Sequence, residues 1–145
     1  MVRSIIGVIV GYIVMVALQI AAFMYIYNLM GPDWAFKTAT FQASTRWHLM
    51  QFVVILLTAA IAGLVCALIA GRGKACVALA GLVLVIGMAL GILSHSARSA
   101  DSRPPGPISG AEAMQKATHP LWLVLINPFI AGVGVIAGGS LRRAR

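Results

Sequence analysis

The sequence predicts an all-α protein: a polytopic transmembrane four-helix bundle, up-down-up-down, with short interfacial helices in its outer loops. Three observations predict this. Of 145 residues, 61% are apolar and 10% charged, with a mean hydropathy of +0.96; a soluble domain carries about 25% charged residues to coat its surface. Four uncharged apolar runs follow one another, each about 19 residues or longer, and about 20 residues of helix cross the hydrocarbon of a bilayer. The 11 Lys/Arg and 3 Asp/Glu, which give a net charge of +8, sit in the connectors between the runs. A soluble enzyme, a disordered chain and a disulfide-rich secreted domain are excluded. No nucleic-acid partner is expected, because the basic residues form no patch on a soluble face. The whole chain, 1–145, reads as a single transmembrane domain.

The first helix is expected at about 5–30. Met1-Val2-Arg3 resembles the charged start of a signal peptide, but the apolar run greatly exceeds the ~7–15 residues of such a segment. The outer loop 31–47 carries a candidate interfacial turn at Pro32–Lys37. The second helix is expected at about 48–71 and the third at about 75–95. Gly71-Arg72-Gly73-Lys74 between them is short enough to make them antiparallel neighbours. In the second outer loop, 96–119, Pro104-Pro105-Gly106-Pro107 cannot be helical. Ser109-Gly110-Ala111-Glu112 then matches the S-x-x-E capping box and predicts a short helix from about Gly110 to Thr118. The fourth helix is expected at about 120–141. Trp34, Trp47, Trp122, Tyr25 and Tyr27 all fall at the outer boundary and read as an aromatic belt.

Orientation follows from charge density. Arg3, Arg72, Lys74, Arg142, Arg143 and Arg145 crowd the short connectors on the side of the termini. Lys37, Arg46, Arg98, Arg103 and Lys116 are spread over the long loops, together with the three acids Asp33, Asp101 and Glu112. The positive-inside rule then places both termini in the cytoplasm of a cell whose inner membrane the chain spans, and a bacterial plasma membrane is expected.

Lipid gives helices no hydrophobic reason to associate, so close backbone approach and hydrogen bonds must do so. Small residues form a seam on every helix: Gly7 and Gly11; Gly63 and Ala67; Gly87 and Gly91; Gly134 and Gly138. At least one seam is expected to face outward, towards a second copy or a larger membrane complex. The bilayer itself is the other expected partner. Asn127-Pro128 interrupts the fourth helix, because Pro128 offers no amide to the carbonyl of Val124, and a kink is expected there.

The polar residues within the spans share the outer half. At about 1.5 Å per residue, Gln19 lies about 21 Å from the cytoplasmic start of its helix and Asn127 about 9 Å from the outer start of its own. Gln51, Thr58 and His48 occupy one stripe of the second helix. A buried amide without a partner costs several kcal/mol in hydrocarbon. These side chains therefore either clasp one another or line an outward-facing pocket.

No motif names a reaction. His48, His95 and His119 all fall at outer helix ends, which leaves a Zn or Cu site as a weak alternative; they form no pair on one helix, and no metal is expected. No cofactor is expected either, since haem needs axial histidines deep in the membrane. Cys66 and Cys76 make no C-x-x-C pair and read as small apolar fillers. The spans hold no carboxylate of the kind that proton-coupled transport requires. Asp33, Asp101, Ser109 and His119 offer hydrolase residue types on the outer loops, but nothing in the sequence fixes their geometry, so an enzyme is the less favoured reading. Two readings are favoured over it. The first is a non-enzymatic accessory, assembly or oligomerising subunit packed through its small-residue seams. The alternative is a small-ligand binding or transport protein using Gln19, Gln51, Thr58, Asn127 and His48.

Overall fold

A computed structural model describes residues 2–38, 40–71, 73–97, 106 and 108–141. Six helices follow in order: α1 (Val2–Met30), α2 (Pro32–Ala35), α3 (Thr45–Ala70), α4 (Gly73–Ala97), α5 (Gly110–Lys116) and α6 (Leu121–Leu141). α1, α3, α4 and α6 are long and apolar enough to cross a membrane. Their outward faces are aliphatic: Ile5, Ile13, Leu57, Val85 and Val133 are all exposed. The protein is a four-span, all-α membrane bundle. Arg72, Arg98, Arg103, Asp101, the prolines 104, 105 and 107, and the arginines 142, 143 and 145 lie outside the described residues.

Local chemistry sets the helix ends. α3 starts at Thr45 because the Ser44 hydroxyl accepts a hydrogen bond from the Trp47 amide, 3.1 Å. It stops where Gly71 turns left-handed, φ +74°, and returns its amide to the Ala67 carbonyl at 3.0 Å. Ser109 caps α5 by accepting from the Glu112 amide at 3.2 Å. The Glu112 carboxylate pairs forward with Lys116 at 2.8 Å. α5 ends at Lys116, short of Thr118, because the Thr118 amide donates instead to the Phe41 carbonyl at 2.9 Å.

The small residues decide how the four spans meet. A methyl group on Gly138 would overlap the Ala60 carbonyl, and one on Gly63 would overlap the Val135 carbonyl. On Gly134 it would lie 2.8 Å from Ala59 Cβ. These contacts press α3 against α6 backbone to backbone. Gly7 seats on α3, 3.0 Å from Ala70 Cβ by the same measure; Ala67 is buried in the same core. Gly87 and Gly91 receive Pro128 and Val124 of α6, at 3.0 and 2.6 Å. α6 continues as helix through Pro128, whose ring fills the space that Gly87 leaves.

One expectation is corrected here. No small-residue seam faces outward: Gly7, Gly11, Gly63, Gly87, Gly91, Gly134 and Gly138 each meet another span of the same chain. α3 and α4 are neighbours, as their short turn requires, but neither is the other's main partner. α3 packs most extensively on α6 and α1, and α4 on α6. α3 and α4 meet near their shared turn, where the Cys76 thiol lies 3.7 Å from the Gly63 carbonyl. The reason is steric, since the glycines of α3 and α6 let those two backbones approach more closely than branched side chains would.

Gly138→Leu should force α3 and α6 apart and lower the melting temperature in mild detergent, at a cost of at least the ~1–3 kcal/mol of an overpacked core. Gly81, which has open space around it, is the control. Gly81→Leu should melt close to the parent protein.

Candidate functional site

α1 and α4 touch at one level. A methyl group on Gly11 would lie 2.9 Å from Leu79 Cδ2. From there towards the loop end the two helices part, and a chamber of about 410 Å³ opens between them. One side is a stripe of α1 containing Tyr12, Met15, Gln19 and Phe23; the other is a stripe of α4 containing Val83, Gly87, Leu90 and Ser94. The closely packed pair α3/α6 supplies the back wall through Gln51, Ile55, Asn127 and Pro128. Leu90, on the rim, is exposed, so the chamber is a cleft open towards the bilayer.

The wall is apolar at its deep end, around Met15, Ile55 and Ala131, and polar nearer the loops. Asn127 Oδ1 and Gln51 Oε1 are buried and have no hydrogen-bond partner among the described residues. Pro128 withholds the amide that the Val124 carbonyl would have received, and Val124 lines the same space. The Ser94 hydroxyl is used within α4, donating to the Gly91 carbonyl at 2.9 Å. The chamber thus gathers amide and carbonyl groups and holds no Asp, Glu, Lys or Arg among its described lining residues.

The structure separates the five residues read from the sequence as a pocket. Gln19, Gln51 and Asn127 line the chamber. Thr58 does not: it is buried, and its hydroxyl donates to the Val54 carbonyl of its own helix at 2.7 Å. His48 falls short of the wall, with its ring centroid 5.6 Å from that of His119. The expected amide clasp is not formed among the described hydrogen bonds. The three histidines do not assemble either; His95 borders a separate recess of about 240 Å³ beside His119. Among the described residues no three His, Cys, Asp or Glu side chains converge as metal ligands. Cys66 and Cys76 are free and buried in the core.

The loops form a cap over this end. Phe36 bridges to Ala43, and Gln42 to Thr118. Tyr27 reaches from α1 to donate to the Ile108 carbonyl at 3.0 Å, and Ser44 donates to the Trp34 carbonyl at 2.7 Å. The aromatic belt therefore splits in two. Tyr25 and Trp122 are exposed. Tyr27, Trp34 and Trp47 instead join Phe23, Phe36 and Phe41 in a chain of ring contacts 5.7 to 6.5 Å apart. Phe41 is buried under the Lys116 ammonium, 5.4 Å above its ring.

A recess of about 150 Å³ beneath the cap is lined by Phe23, Tyr27, Trp47, Gln51 and His119. His119 also borders the chamber and the recess beside His95, so it stands where all three spaces meet. The α1 stripe had a legible signal that sequence reasoning missed, because Tyr12, Gln19 and Phe23 recur at spacings of seven and four. His119 had none beyond its residue type.

Comparison of the chain with family models, with curated proteins and with solved structures gives no match.

Tyr27→Phe removes the bond to Ile108 and should cost about 0.5–1.5 kcal/mol. Amide hydrogen exchange should report it as faster exchange across 108–118, with the spans unchanged. Unaltered exchange there would show that the aromatic packing alone holds the cap.

Proposed function

We propose that this membrane protein binds a small uncharged amphiphile taken from the bilayer. Its hydrogen-bonding group meets Asn127, Gln51 and Gln19, and its apolar body lies between α1 and α4. One observation carries this reading: two buried amide oxygens without partners among the described residues face a chamber open towards lipid. A polar group kept in hydrocarbon without a partner is costly, and a ligand with hydroxyl or amide hydrogens would satisfy both. A wall without Asp, Glu, Lys or Arg favours an uncharged headgroup, since a bare charge would find no fixed counter-ion there.

The seam argument for an oligomerising or accessory subunit has lost its support, because each small-residue seam is used within the chain. Any association with a second copy or a larger complex must use other surfaces. The density of arginine and lysine at the termini end further supports an orientation with both termini cytoplasmic in a bacterial plasma membrane.

The ligand test is extraction with organic solvent after purification in mild detergent, followed by mass spectrometry. The parent protein should release a neutral amphiphile in near-stoichiometric amount. The double variant Asn127→Leu, Gln51→Leu should lose it, while Thr58→Val should retain it. Identical extracts from parent and double variant, with both folded, would contradict the reading. A C-terminal tag should be shielded from an impermeant label in intact cells; labelling without permeabilisation would reverse the orientation.

A further inference from the structure

We infer that a second site, at the termini end of the same two helices, binds the headgroup of an anionic phospholipid. α1 and α4 part below the Gly11–Leu79 contact as they do above it. The lower cleft is a groove of about 330 Å³ between the first turns of the two helices. Its floor and rim are aliphatic, with Ile5, Val8 and Ile9 on α1 and Ala78 on α4. Ser4 and Lys74 are its polar members. Ile5 and Ile9 are more than half exposed, so the groove faces the acyl region of a bilayer.

The charge of this end identifies the occupant. The chain has three acidic side chains. Asp33 lies on α2 and Glu112 on α5, both in the cap, and Asp101 falls in the connection from α4 to α5. Arg3 and Lys74 therefore have no acidic side chain among the described residues of their own end. A cation at the polar edge of a membrane-facing apolar groove matches a lipid phosphate: the ammonium takes the charge, the Ser4 hydroxyl can donate to a phosphate oxygen, and an acyl chain follows Ile5 and Ile9. Free phosphate would satisfy Lys74 but would leave the aliphatic walls uncovered. This site shares no residue with the chamber and stands whether or not the chamber binds an amphiphile.

The test is native mass spectrometry of the full chain released from nanodiscs of equal phosphatidylglycerol and phosphatidylcholine. The parent protein should retain phosphatidylglycerol several-fold over phosphatidylcholine. Lys74→Gln should abolish that preference, Lys74→Arg should keep it, and Lys37→Gln, at the capped end, should leave it unchanged. Thermal melting of each variant separates lost lipid from lost fold, and Ala78→Leu, which narrows the groove without altering charge, gives a second variant expected to lose the preference. Equal retention of the two lipids by the parent would overturn the proposal, as would equal losses from Lys74→Gln and Lys37→Gln. Displacement of phosphatidylglycerol by millimolar inorganic phosphate would overturn it too, in favour of a phosphate site.

Discussion

The backbone contact between α3 and α6 is the constraint on which the rest depends. In lipid, packing and hydrogen bonds must substitute for a hydrophobic driving force. Gly63, Gly134 and Gly138 let two helices meet carbonyl against Cα. α1 packs mainly on α3 and α4 mainly on α6, so this pair forms a common back wall for both. α1 and α4 touch each other closely at Gly11 and Leu79 and separate in both directions. The chamber and the lower groove both lie between these two helices, one on either side of that contact. The chamber is amide-lined with His119 on its wall; the lower groove is aliphatic with a cation at its edge.

The loop cap closes one end of this arrangement, and its Glu112–Lys116 ion pair lies on exposed side chains of α5. The cap's fixed points are a tyrosine hydroxyl on a distant carbonyl, two isolated bridges and a chain of edge-to-face rings. Such contacts tolerate a membrane interface, where one side of a ring is wet and the other is not. They also place His119 and Gln51 where the space beneath the cap joins the chamber. The amphiphile reading and the cap geometry thus converge on the same residues.

The spans were legible in the sequence because an uncharged run of that length has few other fates. The glycine spacing announced close approach but not its partner. Gly134 and Gly138 look alike whether they face a second copy or α3, and only the three-dimensional arrangement of the helices decides. Thr58 shares a stripe with Gln51, yet a threonine can satisfy itself on the carbonyl four residues back, which removes it from any pocket. Phe41 carried no periodic signal; it is placed by a strand-like pairing with Thr118, 77 residues away. The short turn makes α3 and α4 neighbours but does not show that each packs more extensively on α6.

A crystal structure grown from a lipidic phase tests the central claim most directly. It should show α1 and α4 in contact at Gly11 and Leu79 and apart above it, with density larger than water touching Asn127 and Gln51. Packing of α1 against α4 along their whole length, with Gln19, Gln51 and Asn127 hydrogen-bonded to one another, would contradict it.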